Sequence, residues 1–168
     1  MKVMVTGGAG FIGSHIVDCL IAEGHETVIL DDLSTGKKEN IHPDAVFYRV
    51  DIQSPKVEAI FRKERPELIS HHAAQMDVRH SVSDPVFDAR VNIMGFLNIL
   101  ENAVKHGGRR VIFASSGGAI YGEQEIFPAP ETHVKSPLSP YGVSKLAGEN
   151  YLFYYHAVHG LSYVALRY

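Results

Sequence analysis

Short apolar runs alternate with longer amphipathic segments along the whole chain. The apolar runs are nearly continuous, which is typical of strands that are covered on both faces of a sheet. They occupy residues 2–6, 26–30, 46–50, 68–71, 110–115 and 162–167. Strands separated by helical segments indicate βαβ units, so the pattern predicts an α/β fold with a doubly wound parallel sheet.

The segment after the first strand has apolar residues at helical spacing. Ile12, Ile16 and Leu20 recur every four residues, so we expect a helix that packs one face on the sheet. We also expect Cys19 to pack on this face.

Two longer helices carry clear N-terminal signals. In each, a capping residue precedes a proline at the first helical position: Asp84 before residues 85–106, and Ser139 before residues 140–160. The segment 126–137 between them contains three prolines and is predicted to be a loop.

The length and charge of the chain limit its function. Its 168 residues, 45% of them hydrophobic, suffice for one domain but not for two ordinary domains. A net charge of -3 lacks the basic excess that nucleic acid attracts, and no apolar run approaches the roughly 20 residues that span a bilayer. We therefore expect neither nucleic acid nor membrane as a partner. The single cysteine and the lack of a cleavable signal predict a cytoplasmic protein.

The histidines do not indicate a metal site. All ten lack the spacing of metal ligands. We interpret the adjacent pair His71 and His72 as the end of a strand rather than a zinc site, and we assign no metal.

A glycine-rich motif follows the first strand directly. Gly7, Gly10 and Gly13 form a GxxGxxG run that opens the first helix. Glycines let the backbone approach a pyrophosphate, whose charge is then stabilised by the helix N-terminus. We expect these glycines, with Phe11 and Ile12, to bind a dinucleotide.

An acidic pair ends the second strand. Asp31 stands eighteen positions beyond the last motif glycine, where dinucleotide-binding folds place the carboxylate that binds the adenosine ribose. A carboxylate there repels a 2'-phosphate, so NAD is expected rather than NADP. Asp32 is the competing candidate, and Ser34 belongs to the same predicted binding segment. Asp51 and Ile52, after the third strand, are predicted to contact adenine, although an aspartate there is also ordinary loop chemistry.

A tyrosine and a lysine lie one turn apart at the start of the last long helix. The spacing of Tyr141 and Lys145 puts the phenol and the ammonium on one helix face. A nearby cation would favour the phenolate of a tyrosine, whose reference pKa is about 10. Alone, this spacing of tyrosine and lysine is a weak indication of catalysis. Together with the glycine motif upstream, it becomes a strong one.

The chain resembles the extended short-chain dehydrogenases, whose fold is of the Rossmann type, along its whole length. Within that family it looks most like the UDP-glucose 4-epimerases. The matching segments are TGGAGFIGSH at 6–15, LDDLSTG at 30–36, DI at 51–52, HAA at 72–74, SSGGAIYG at 115–122 and SPYGVSK at 139–145.

The resemblance implies a catalytic role for three residues. Tyr141 would be the base, Lys145 its electrostatic partner and a ligand of the nicotinamide ribose, and a serine after the fifth strand would bind the C4 oxygen of the sugar. A rigid count from the family pattern lands on Gly117, which has no hydroxyl. We therefore assign Ser116 to this role. Ser115, also expected among the cofactor contacts, is the alternative.

The resemblance also implies further cofactor contacts. Asn92 matches the helix asparagine that approaches the cofactor in the family. Ala73 and Ala74 would line the pyrophosphate side.

The motifs are shared with sugar 4,6-dehydratases and nucleotide-sugar decarboxylases, so the reaction must be chosen among them. Dehydratases typically carry Asp-Glu where this chain has Gly117 and Gly118, and glycine has no proton to give. We therefore expect an NAD-dependent isomerase, a UDP-glucose/UDP-galactose 4-epimerase of galactose metabolism. It would oxidise C4 of a UDP-hexose transiently and return the hydride to the other face. The alternatives are a dehydratase or another sugar epimerase of the family, and a non-catalytic NAD-sensing module.

The two longer helices carry apolar residues around most of their circumference. One face of each can pack on the sheet, which leaves apolar surface for a partner. Family members that this chain resembles pair these helices in a four-helix bundle, so we expect a homodimer.

Residues 1–168 are interpreted as one NAD-binding domain, the N-terminal part of a longer enzyme. The chain ends at Tyr168, in or just after a buried strand and without a polar tail. The resemblance implies a C-terminal substrate lobe that grips the nucleotide. Without it, we expect these residues to bind NAD but not to turn over sugar.

Overall fold

A six-stranded parallel sheet forms the centre of the molecule. The computed structural model describes all residues 1–168. The strands are β1 Lys2–Thr6, β2 Glu26–Asp31, β3 Val46–Arg49, β4 Leu68–His71, β5 Arg110–Ser115 and β6 Ser162–Arg167. Their order is β3-β2-β1-β4-β5-β6, with all neighbours parallel. This is the order of a doubly wound Rossmann-type sheet, so the predicted fold is confirmed.

Helices cover both faces of the sheet. They are α1 Phe11–Ala22, α2 Lys56–Glu64, α3 Val78–Ser83, α4 Pro85–Ala89, α5 Phe96–Lys105, α6 Gly117–Ile120 and α7 Pro140–His159, with a short 3-10 helix at Lys38–Asn40. None of these helices combines the length and the apolar character needed to cross a membrane.

Both predicted helix starts are correct. The Asp84 carboxylate accepts a hydrogen bond from the Phe87 N–H at 2.9 Å, and the Ser139 hydroxyl accepts one from the Gly142 N–H at 3.1 Å. Each side chain satisfies one of the free N–H groups of the first helical turn. α7 ends, as predicted, at Gly160, which has a φ of +69°.

The helix predicted over residues 85–106 is not continuous. A π-helical segment, Arg90–Gly95, joins α4 to α5. Such a segment holds one residue more than a regular turn and often marks a functional site. Asn92 lies within it and is buried.

The face of α1 that packs on the sheet is only partly the predicted one. Ile16 and Leu20 pack, as predicted, against the apolar cluster formed by β1 and β2. Its buried residues are Gly13, Ser14 and Val17, whereas Ile12 and Cys19 are exposed. The expectation that Ile12 and Cys19 pack on the sheet is therefore wrong. The contact of Gly13 with the glycine turn fixes the rotation of the helix, which the apolar spacing alone does not reveal.

The core lies on both sides of the sheet. Val3 and Val5 of β1 pack with Val17 on one face, while Met4 points to the other and joins a larger cluster that includes Phe96. The strand order reverses between β1 and β4. Doubly wound sheets bind ligands in the crevice at the carboxyl ends of two such strands.

Candidate functional site

The turn between β1 and α1 brings backbone against backbone. Gly7 has a φ of +70°, and a Cβ there would lie 2.6 Å from the Ala73 backbone nitrogen. A Cβ on Gly13 would lie 2.1 Å from the Gly7 carbonyl oxygen. Only glycine fits these two positions without displacing the backbone.

The N-terminus of α1 is open toward the crevice. Its N-cap is Gly10, and no side chain caps the helix, so N–H groups of the first turn are available to an anion. Phe11 and Ile12 are 79% and 48% exposed. They belong to the mouth of this opening rather than to the core. The arrangement fits a pyrophosphate.

Asp31 is held firmly at the edge of the glycine turn. It is 7% exposed, and its two carboxylate oxygens accept hydrogen bonds from the Ala9 N–H at 2.9 Å and the Leu33 N–H at 2.8 Å. A carboxylate has further lone pairs, so Asp31 can still bind a ribose. Asp32 is exposed, and its carboxylate is bonded by the Ser34 N–H and hydroxyl. This geometry favours Asp31 over Asp32 as the ribose ligand.

Asp51 and Ile52 face different surroundings. The Asp51 side chain is exposed and accepts a hydrogen bond from the Gln53 N–H at 2.8 Å. Ile52 is 4% exposed and packs against Gly95, where a Cβ would lie 2.7 Å from its side chain. The predicted adenine contact by this pair stays a prediction.

Thr6 ties the end of β4 to the glycine turn. Its buried hydroxyl is hydrogen-bonded to His71 Nδ1 at 2.8 Å and accepts the N–H groups of His72 and Ala73, each at 3.3 Å. Ala73 thereby lies against Gly7, and Ala74 follows it, half-buried, at the predicted pyrophosphate side.

The two adjacent histidines are uncharged. Burial lowers the pKa of His71 well below its usual value and that of His72 to about 4, and the Lys145 cation adds to both effects. His71 is the last residue of β4, as predicted. No group of three or more His, Cys, Asp or Glu side chains is arranged to hold a metal ion.

The Asn92 amide is occupied within the chain. Its Nδ2 donates to the Gln75 carbonyl and to Asp88 Oδ1, both at 2.9 Å, and its Oδ1 accepts the Gln75 N–H at 2.9 Å. Both amide hydrogens are therefore used. Asn92 fixes the segment after β4, and the predicted contact with the cofactor stays a prediction.

Tyr141 and Lys145 lie together, as the spacing predicts. Lys145 Nζ lies 5.7 Å from the centre of the Tyr141 ring, 4.9 Å from that of Phe113, and donates to the Ala114 carbonyl at 2.9 Å. Burial lowers the pKa of Lys145 to about 8, and the Asp88 carboxylate opposes this effect.

The pKa of Tyr141 is shifted in the direction opposite to the one expected from the sequence. Burial raises its pKa, the Asp88 carboxylate raises it further, and the Ser116 hydroxyl, close but outside good hydrogen-bond geometry, lowers it less. The ammonium of Lys145 is directed at the Ala114 carbonyl, so it does not offset the burial. The expected stabilisation of the phenolate is therefore absent from these residues alone.

The two candidate serines have different environments. Ser115 is 4% exposed and donates a hydrogen bond to Glu149 Oε1 at 2.7 Å. Ser116 is half-buried and its hydroxyl faces Tyr141. The structure thus brings Ser116, not Ser115, to the phenol.

Two polar residues of this region belong to no recognised motif: Gln75 and Asp88. Asp88 is 0% exposed and accepts a hydrogen bond from the Ser144 hydroxyl at 2.6 Å. It precedes Asn92 by one helical turn. Two polar residues at this spacing among the mostly apolar residues 85–97 are the signal that identifies a buried polar pair.

A separate cleft of about 790 Å³ lies beside β6. It is bordered by a partly buried ion pair, in which Arg167 donates to both carboxylate oxygens of Glu149, at 2.8 and 2.9 Å. Neither Tyr141 nor Lys145 lines it. We therefore place the candidate site in the crevice at the sheet's carboxyl edge.

Comparisons with known proteins identify the family of the chain. The family described as the NAD dependent epimerase/dehydratase family matches residues 3–168. The chain belongs to this family.

Several members of the NAD dependent epimerase/dehydratase family are similar over nearly the whole chain. UDP-glucose 4-epimerase of Mycolicibacterium smegmatis is 43% identical over 166 residues, which cover 96% of this chain and 53% of the relative. The Thermotoga maritima UDP-glucose 4-epimerase structure with UDP-glucose has a TM-score of 0.98 and 48% identity, and the Thermus thermophilus UDP-glucose 4-epimerase complex with NAD has 0.97 and 52%. Each match covers 100% of this chain and 55% of the other. The chain spans about half the length of the curated relatives it matches.

Proposed function

We propose that residues 1–168 form the NAD-binding domain of a nucleotide-sugar epimerase, specifically a UDP-glucose/UDP-galactose 4-epimerase. The observation that carries this proposal is the gathering of Ser116, Tyr141 and Lys145 at the crevice that the glycine turn opens. Gly117 and Gly118 stand where a dehydratase needs an acid. The family and the similarity to UDP-glucose 4-epimerases support the same reaction.

NAD is the cofactor that the residues of the crevice fit. Its pyrophosphate would lie at the N-terminus of α1, over Gly10, and its adenosine ribose on Asp31. Lys145 would bind the nicotinamide ribose. The negative charge of Asp31 opposes a 2'-phosphate, which favours NAD over NADP. When bound, NAD supplies the hydride acceptor that oxidation at C4 requires.

Proton transfer at the sugar falls to Tyr141. Ser116 would hold the C4 oxygen while Tyr141 takes the proton of the C4 hydroxyl and later returns it. Since burial raises the pKa of Tyr141, the phenol needs nearby positive charge to act as a base. The positively charged nicotinamide ring would supply that charge, and the Lys145 ammonium would join it on leaving the Ala114 carbonyl to bind the nicotinamide ribose.

A homodimer through the helices α4, α5 and α7 is part of the proposal. Val86 and Met94 are 59% and 61% exposed, and Phe153 and Tyr154 are 65% and 49% exposed. Exposed apolar side chains of this kind favour a partner. Other apolar residues of these helices pack inside the chain; they include Phe96, Ile99, Leu100 and Leu152. The cytoplasmic location stays a prediction from composition.

The reaction is tested with the full-length gene product and UDP-galactose. We expect UDP-glucose to form, with no net consumption of NAD. Tyr141→Phe should lower kcat by about 100-fold or more while NAD affinity stays nearly unchanged. Tyr154→Phe, which removes an exposed phenol from the same helix, is the matched control.

Two other outcomes would replace the proposal. A protein that binds NAD but converts no nucleotide sugar would be an NAD-sensing module. Elimination of water from the substrate would indicate a 4,6-dehydratase. Chromatographic separation of the nucleotide-sugar products distinguishes these results.

A further inference from the structure

Asp88 belongs to α4, and its buried carboxylate lies against α7. It is 0% exposed, and its hydrogen bonds come from uncharged donors: Asn92 Nδ2 at 2.9 Å, Gln75 Nε2 at 3.2 Å and the Ser144 hydroxyl at 2.6 Å. None of the ion pairs in the chain includes it. A buried charge is costly unless another charge compensates it.

Lys145 is the cation on which the Asp88 carboxylate acts. The two groups make no direct contact, because the ammonium donates to the Ala114 carbonyl. Their charges nevertheless interact, since the carboxylate acts against the effect of burial on the pKa of Lys145. Two buried charges of opposite sign stabilise each other across a low-dielectric interior even without contact.

The other titratable groups around Lys145 carry no unpaired charge. His71, the last residue of β4, and His72, which follows it, have strongly lowered pKa values and are neutral near pH 7. Glu149, one turn further along α7, is paired with Arg167 of β6. Besides Tyr141 on its own helix, this leaves Asp88 as the negative charge that acts on the ammonium.

We propose that Asp88 is a positioning residue for Tyr141 and Lys145. Its carboxylate ties α4 to α7 through Ser144, the residue directly before Lys145, and supplies the buried negative charge that acts on the ammonium. The inference rests on the proposed function, in which Lys145 acts as a cation beside the phenol.

Asp88→Asn removes the negative charge of the side chain but keeps its size and shape. Asparagine keeps an oxygen for Asn92 and Gln75, and its amide can donate to the Ser144 hydroxyl. Loss of a nearby negative charge lowers the pKa of both Tyr141 and Lys145. We therefore expect the pH profile of kcat/KM for UDP-galactose to move to lower pH by about one unit. A purely structural role would lower activity without moving the profile.

Asp84→Asn is the matched control, because it makes the same chemical change at an exposed N-cap of the same helix. Asparagine caps helices as well as aspartate does. We expect its pH profile to stay in place. If Asp88→Asn does not fold, Asp88→Ser carries the same prediction with a smaller uncharged side chain.

A second measurement reads Lys145 without any enzymatic reaction. In an NMR titration of the chain labelled with ¹³C-lysine, with Lys145→Met to assign the signal, the pKa of Lys145 should be lower in the Asp88 variant by about one unit. An unchanged pKa in a folded Asp88 variant overturns the inference. Lack of epimerase activity in the unaltered protein overturns the proposed function instead, and the titration still decides the role of Asp88.

Discussion

At the residue scale, neighbouring side chains at the site have separate tasks because successive strand residues point to opposite faces. Ser115 ends β5 with its hydroxyl bound to Glu149, while Ser116 faces the phenol of Tyr141. A hydroxyl that already donates its proton inside the protein has none to give a substrate. In the proposed function, only Ser116 is therefore free to bind the sugar.

Alanine variants separate the two serines. Ser116→Ala should lower kcat/KM for UDP-galactose by about 10- to 100-fold, with the free energy of unfolding nearly unchanged. Ser115→Ala should instead lower the free energy of unfolding by about 1–3 kcal/mol, since it removes a donor from the buried Glu149 carboxylate. Steady-state kinetics and urea denaturation measure the two effects. A larger kinetic loss for Ser115→Ala at equal stability would reverse the assignment.

Asp31 provides a second prediction at this scale. Asp31→Asn removes the charge that opposes a 2'-phosphate, so the preference for NAD over NADP should fall by about tenfold, as read by calorimetry with both nucleotides. Asparagine has one acceptor oxygen for two backbone N–H groups, so the free energy of unfolding should also fall, by about 1–3 kcal/mol. Asp32→Asn is the control, and an equal loss of preference there would move the role to Asp32.

At the element scale, the sequence predicts the elements that depend on local signals, and it does not predict those that depend on tertiary contacts. The strands and the starts at Pro85 and Pro140 follow from apolar runs and caps a few residues long. The π-helical segment and the short α6 have no such signal. At the site, the residues of the motifs could be predicted from the sequence. Asp88 could not, because its contact with Ser144 joins residues that are 56 positions apart in the chain.

The glycine turn is the element whose tolerance is most easily tested. Gly13→Ala would improve helix propensity by about 1 kcal/mol, but its Cβ would lie 2.1 Å from the Gly7 carbonyl oxygen. The clash should prevail, with a net loss of about 1–3 kcal/mol in urea denaturation and much weaker NAD binding. Gly118→Ala, with no atom within 4 Å of the new Cβ, is the control for stability. Unchanged NAD affinity in Gly13→Ala would argue against this turn as the pyrophosphate site.

At the scale of the whole molecule, Lys145 links the site to folding. Its pKa is about 8 in the folded chain against 10.5 as the ordinary value, so the unfolded chain binds more protons between these pH values. The free energy of unfolding should therefore rise with pH across this window, by about 3 kcal/mol relative to Lys145→Met. Urea denaturation of both proteins from pH 7 to about 10.5 measures the difference. A difference independent of pH would mean that Lys145 keeps its ordinary pKa.

The proposed dimer gives a further prediction for the whole molecule. Phe153→Arg places a charge on a residue that is 65% exposed in the single chain, so the fold should be retained while the dimer dissociates. Val134→Arg, at a loop residue that is 74% exposed, should leave the dimer intact. Sedimentation at micromolar concentration compares them. Only monomer in the unaltered protein would contradict the interface.

The π-helical segment makes this part of the chain intolerant of length changes. Because each residue of a helix turns the chain by about 100°, deleting one residue from Arg90–Gly95 would give a regular helix but rotate one end against the other. Either Asp88 would leave its partners at α7, or Phe96 and Ile99 would turn out of the core. A regular helix could not direct Asp88 at α7 and also Phe96 and Ile99 into the core. The extra residue changes the rotation between the two ends, so that both sets of side chains reach their partners.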